Sequence, residues 1–235
     1  MRKSISASFI LFISLAALVI TSPASAQQSK KLAPGFTTLT KGVKLVIMPT
    51  DIELFSISAG GVLEPKADWT DAASRYFRTA LQKKKETLGL VTVDLSEKDA
   101  DALAEINTLH AAIAQSIALH HFGPLALPTK EGKLDWSLGE SVSSIKRVTG
   151  ADYALFSWVR DSYASDERVA MMVVMALLGV GIVGGAQVGY ASLVDLNTGQ
   201  VLWFNRLLRV SGDLREPAKA TETLNALLED FPVTK

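Results

Sequence analysis

The chain has 235 residues, 24 basic and 24 acidic side chains, and no cysteine. That balance removes any general attraction to nucleic acid or anionic lipid, and the missing thiols exclude disulfides, thiolate metal sites and thiol catalysis. The length suits one domain with a sizeable core.

Residues 1–26 read as an export signal. Arg2 and Lys3 give a short positive region, residues 9–20 an apolar core, and Ala24-Ser25-Ala26 the small residues a signal peptidase requires, so cleavage is predicted after Ala26. This places the chain in the periplasm or outside the cell. Gln27, standing where a lipid-bearing cysteine would have to be, excludes lipid attachment there. Residues 27–42 read as a poorly ordered leader, and residues 43–235 as a single α/β domain.

Residues 43–48 (VKLVIM) are β-branched and stop at Pro49, which predicts a strand, with residues 52–57 extending it or pairing with it. Gly60-Gly61 and Pro65 mark a loop. Asp68 is a candidate cap for a helix that carries Ala73, Phe77, Ala80, Leu81 and Leu88 at helical spacing and stops at Gly89. Residues 90–95 (LVTVDL) form a short strand. Ser96 and Asp99 form a capping box for the next helix, whose inward stripe is Leu103, Ile106, His110, Ile113 and Ile117. Ser137 and Glu140 suggest a second box, before a helix closed by Gly150. Residues 151–159 (ADYALFSWV) are apolar on both faces, as expected of a central strand covered twice. Residues 190–196 and 201–210 flank a turn at Gly199 and predict a hairpin. Pro217 opens a last helix with Ala220, Leu224, Leu227 and Phe231 facing inward. The alternation predicts an α/β fold: a mixed β-sheet covered by helices, with a C-terminal β-hairpin followed by a helix.

Residues 171–190 (MMVVMALLGVGIVGGAQVGY) invite three readings. Gly179, Gly181 and Gly184 spell G-x-G-x-x-G, but a dinucleotide loop follows a strand and opens a helix, and this one does neither. Residues 169–186 carry no charge over 18 positions, the lower limit for a membrane span, though the glycines weaken it as a lone span. The favoured reading is a helix at 171–178 buried between the sheet and its neighbours, with the later glycines letting the chain pass close to other backbone.

Chemistry is sparse. His110 and His120 lie ten residues apart, a rotation of about 280° along a helix and so about 80° by the shorter way, and without distant partners they are not read as a shared metal site. His110 is expected to pack in its apolar stripe, and His120 and His121 to sit at the negative end of the helix dipole. The stretch from Asp195 to Gly199 resembles the start of a calcium loop, but its glycine comes one residue early and Arg206 stands where a bidentate glutamate would be. No G-x-S-x-G elbow is present. No catalytic residue, cofactor or metal is predicted. Arg160, Asp161 and Tyr163, after the central strand, are the most site-like polar group, set against the plainer reading of a polar loop.

Residues 148–159 (VTGADYALFSWV) and 192–207 (SLVDLNTGQVLWFNRL) together resemble bacterial envelope proteins. These are the curli-export channel (CsgG-like) family, the outer-membrane lipoprotein activators of penicillin-binding proteins, and the amino-terminal domain of the Tol translocation protein. The matching residues are structural: Gly150 ends a helix, Asp195 and Gly199 shape a hairpin turn, and Trp203 packs. The resemblance implies an exported, non-enzymatic protein acting through contact with envelope proteins or copies of itself, without nucleic acid. Two alternatives stand beside it, an oligomeric membrane component inserting residues 169–186 and an exported hydrolase.

Overall fold

The computed structural model describes residues 29–233, so the predicted signal peptide lies outside the described residues. The strands are β1 (Lys44–Ile47), β2 (Asp51–Ile57), β3 (Leu63–Pro65), β4 (Val91–Val93), β5 (Tyr153–Ala164), β6 (Gln187–Asp195) and β7 (Val201–Arg209). The helices are α1 (Ala67–Leu88), α2 (Glu97–Ala102), α3 (Ala104–His120), α4 (Ser143–Thr149), α5 (Asp166–Leu177) and α6 (Pro217–Leu227).

β5 is the axis of one mixed sheet. On one side it pairs in parallel with β1 along residues 153–155 and with β2 along residues 158–164. Pro49, which has no N–H to give to a ladder, falls in the break between those two strands. On its other side β5 pairs antiparallel with β6, and β6 with β7. β4 extends the sheet beyond β1, and β3 beyond β2. The alternation of side chains along β5 feeds two cores. Leu155 and Val159 join Phe77, Leu81, Leu224 and Leu227 on the α1/α6 side. Ala154 and Phe156 join Leu103, Ile106, Ile117 and Ile145 on the α2–α4 side. The central strand is therefore apolar on both faces because both are covered.

The local signals explain most of the elements. Ala73, Phe77, Ala80, Leu81 and Leu88 are the buried face of α1, and Gly89 ends it at φ 66°. The helix starts at Ala67, so Asp68 lies in its first turn, complementing the dipole there instead of capping it. Ser96 caps α2, accepting from the Asp99 N–H at 3.2 Å. Ser137 instead accepts from the Gly139 N–H at 2.9 Å, and a short tight turn at Gly139–Val142 precedes α4, so the second capping box does not form. Gly150 closes α4 at φ 63°. Gly199 turns the β6–β7 hairpin at φ 74°, and its N–H donates to the Asp195 carbonyl at 2.8 Å. The Asp195 carboxylate accepts from the Asn197 N–H at 2.7 Å and from its Nδ2 at 3.0 Å, which is turn chemistry, not a calcium loop. Trp203 is fully buried. Pro217 opens α6, whose Ala220, Leu224 and Leu227 face inward, and Phe231 is buried just past its end.

Three expectations need correcting. The leader is not disordered from residue 29 onward. Ala33 and Leu39 are buried, the Ala33 N–H donates to the Leu202 carbonyl at 2.9 Å, and the Phe204 N–H donates to the Lys31 carbonyl at 2.9 Å. This segment covers the outer edge of the first half of β7, backbone that would otherwise stay unpaired. The supposed loop at Pro65 is strand β3, with Pro65 at the sheet edge where a missing N–H costs little. Finally, the apolar helix at 171–178 is not buried. It belongs to α5, none of whose residues is buried. The two faces of the sheet are already occupied by α1/α6 and α2–α4, so no covered site remains for it.

Candidate functional site

Arg160, Asp161 and Tyr163 lie within β5 itself, not in a loop after it. Strand alternation sends Arg160 to one face and the other two to the opposite face, so the three do not form one group.

Asp161 is 2% exposed. Its carboxylate accepts from the Tyr163 hydroxyl, from Gln187 Nε2 at 2.6 Å, from the Ser162 N–H at 3.0 Å and from the Leu214 N–H at 3.3 Å. Gln187 Oε1 in turn accepts from Arg209 Nε at 2.9 Å and Thr223 Oγ1 at 3.0 Å, and Arg209 reaches Glu222 at 3.1 Å. Arg215 lies 3.9 Å over the Tyr163 ring and 4.7 Å over Trp69, held by Asp213 at 2.6 Å. Burial pushes the Asp161 carboxyl above its usual range, and its four donors pull the other way. Burial and the neighbouring carboxylate push the Tyr163 hydroxyl strongly up, so it stays protonated and donates.

A cavity of about 350 Å³ opens beside this cluster, lined by Asp161, Tyr163, Gly185, Gln187 and Ser211 among others. Four donors engage the Asp161 carboxylate, so the cluster ties β5, β6 and the approach to α6 together. Asp161→Ala should destabilise the fold by about 3 kcal/mol, because it strands several buried donors, while Tyr163→Phe should cost about 1 kcal/mol. Urea unfolding followed by tryptophan fluorescence checks both.

On the opposite face Arg160 stacks 4.5 Å over Trp158 and binds Asp51 at 2.8 Å and Glu53 at 3.2 Å. This is a half-exposed clamp between β2 and β5, worth about 1 kcal/mol at most.

His110 packs in its apolar stripe as expected, 4.2 Å from the Phe156 ring and hydrogen-bonded to the Ser192 hydroxyl. A serine beside a histidine is the pairing that a serine hydrolase would need. Both residues are buried, however, and neither lines the cavity beside Asp161. Burial also pulls the His110 imidazole down to about 3, too weak a base for chemistry near neutral pH. His120 Nδ1 pairs with the Leu125 carbonyl at 2.7 Å and His121 Nε2 with the Lys30 carbonyl at 2.8 Å. No cluster of three metal-ligating side chains occurs among the described residues.

What stands open is α5. Ser165 caps it, accepting from the Arg168 N–H at 3.2 Å, and Asp166 and Glu167 fill its first turn. Arg168 ties its root to the Val183 carbonyl at 3.0 Å. Beyond that root the helix is apolar and uncovered: Val173 is 59% and Leu177 83% exposed. Val62, Leu63, Val188, Leu208 and Val210 are also exposed, on segments that reach the same end of the sheet. No described helix is long and apolar enough to cross a membrane, and residues 169–186 are split between α5 and an irregular, glycine-rich return to β6.

No protein-family model and no curated protein matches the chain. Among solved structures it is similar to the PelC dodecamer from Paraburkholderia phytofirmans, at 14% identity over 84% of this chain and 93% of that one, with a TM-score of 0.36. It is also similar to the LpoB C-terminal domain from Salmonella enterica (15%, 75% and 87%, TM-score 0.28) and to lipoprotein GNA1162 from Neisseria meningitidis (12%, 80% and 94%, TM-score 0.31).

Sequence reasoning did not find Gln187, Arg209 and Thr223, the outer members of the Asp161 cluster. The signal was available in part: the hairpin register sets Gln187 directly opposite Arg209, two polar groups on a face that is mostly apolar.

Proposed function

We propose that the chain is an exported, non-enzymatic envelope protein that acts by binding another protein through α5 and the segment that follows it. The observation that carries this is α5 itself, a 12-residue helix with no buried residue. Isolated helices of about 12–15 residues are marginal in water, and Val169, Val173 and Val174 lower helix propensity further. A partner that covers the helix supplies the missing stabilisation at roughly 25 cal/mol per Å² of apolar surface removed from water. Met171, Met172 and Met175 suit an adaptable contact, since the thioether side chain fills irregular surfaces. The resemblance of residues 148–159 and 192–207 to envelope proteins points the same way.

Val173→Glu with Leu177→Glu should leave the folded core unchanged, because neither residue is buried, and should abolish capture of envelope partners by the tagged protein. Wild-type-like capture by the doubly charged variant would sink the reading. A second reading has its own observation, the uncharged run from 169 to 186. If lipid covers α5, the protein will sediment with membranes stripped of other proteins, and the same two glutamates will release it.

A further inference from the structure

The sheet has one long edge, and half of it is open. β4 and β3, at the other side, are three residues each. β7 has nine residues and pairs only with β6 within the sheet. The outer edge of its first half is covered by residues 31–33, through the Leu202 carbonyl and the Phe204 N–H. Strand alternation turns the N–H and C=O of Arg206 and Leu208 the same way as those of Phe204. No backbone of the described residues meets them there. Their side chains are exposed too, Leu208 at 71%, with Val210 at 79% just beyond. Edges of this kind are normally blunted by charge, proline or a bulge, because they recruit other strands. Here the only charge on the open stretch that faces away from the α6 side is Arg206.

We infer that this edge pairs antiparallel with the same edge of a second copy, joining two sheets into one about a two-fold axis at Leu208. In that register Leu208 meets Leu208, Arg206 meets Val210 and Leu207 meets Arg209, so no like charges stand opposite each other. A register centred two residues earlier would set Arg206 against Arg206, which is destabilising. Val188 lies beside Leu208 on β6 and is itself exposed. The pairing therefore makes an apolar stripe, Val188–Leu208–Leu208–Val188, continuous across both copies. Self-pairing satisfies N–H and C=O groups that otherwise depend on water, the same gain that drives strand addition by peptides. The joined stretch is short, so the dimer is weak and concentration-dependent. The inference does not require α5 to bind anything, and different substitutions test it.

The test uses protein purified after expression of the whole sequence. Sedimentation equilibrium should show a reversible monomer–dimer equilibrium. Leu208→Pro removes only an outward N–H and is tolerated at a sheet edge, so it should keep the wild-type circular dichroism and weaken dimerisation about tenfold or more. Because the chain has no cysteine, Leu208→Cys gives an independent readout that does not depend on proline folding. Directly opposed residues lie about 5.5 Å apart, within disulfide reach, so mild oxidation should cross-link this variant much faster than Val91→Cys on the β4 edge. A monomer at all accessible concentrations would overturn the inference. So would equal cross-linking at 208 and 91, or a folded Leu208→Pro variant that dimerises as the wild type does. Dimerisation lost on changing Val173 and Leu177 to glutamate but kept in Leu208→Pro would also overturn it, moving self-association to α5.

Discussion

Lowering the pH from 7 to about 4 should remove about 3 kcal/mol of folding stability through His110 alone. The imidazole is buried, stacks on Phe156 and shares a hydrogen bond with Ser192. Burial pulls it from 6.5 in the unfolded chain down to about 3 in the fold. The folded state therefore holds the neutral ring while the unfolded state accepts a proton. The sign follows: the contribution is fully present above 6.5 and is lost as pH falls toward 3, at roughly 1.4 kcal/mol per pH unit. Asp161 works in the opposite sense. Its raised carboxyl disfavours the fold once ionised, so part of the histidine loss is offset as pH falls through the folded carboxyl's own range. The net decline as pH falls from 6.5 toward about 4 therefore carries the sign of His110, with Asp161 opposing it. Urea midpoints measured across that range should fall for the wild type and stay nearly flat for His110→Phe. A wild-type midpoint that does not move would mean that His110 is not held neutral.

This histidine also shows what a sequence can and cannot disclose. Its place in an apolar stripe at helical spacing was legible, because a helix that covers a sheet must bury one face. Its serine partner was not, because Ser192 lies 82 residues away on a strand whose register depends on the hairpin turn and the irregularity near Leu193. The same distinction runs through the fold. Gly89, Gly150 and Gly199, the capping serine at 96 and the period of α1 and α6 are local signals, and the structure contains each of them. The leader was misread because its order comes from Leu202, Phe204 and Pro232, partners nearly the whole chain away. The buried helix at 171–178 was misread for a different reason. Apolar character all round suits a covered helix, but whether a chain has room to cover it depends on how many layers are already filled. Here α1/α6 and α2–α4 fill them, and α5 stays outside. Arg160, Asp161 and Tyr163 stand out in the sequence as polar residues after an apolar run. That the run was still a strand, with alternation separating Arg160 from the other two, was visible only once β2 and β6 were seen to pair with β5 out to its end.

Gly185→Ala should destabilise the protein by about 3 kcal/mol or prevent folding, whereas Gly181→Ala should be neutral or stabilise it by about 0.5 kcal/mol. A Cβ on Gly185 would lie 2.0 Å from the Ser162 carbonyl oxygen, a collision with main chain that no side-chain rotation relieves. The approach is close because β6 begins there: the Ser162 N–H donates to the Ala186 carbonyl at 3.1 Å, and the Ala186 N–H donates to Ser162 Oγ at 3.0 Å. Gly181 meets nothing within 4 Å and has no positive φ, so alanine there only restricts the unfolded chain. The glycines of the apparent nucleotide motif thus have unrelated roles. Gly179 turns the chain after α5 at φ 78°, Gly181 is open, and Gly184 faces the flexible end of Met172. Thermal unfolding of the two alanine variants separates a close backbone crossing from a glycine-rich linker, since a linker would tolerate both. The comparison also bears on function. Gly181→Ala leaves α5 and its root intact and should capture partners as the wild type does. Gly185→Ala disturbs the strand pairing that fixes where the segment rejoins the sheet, so any folded fraction should present α5 poorly and bind less.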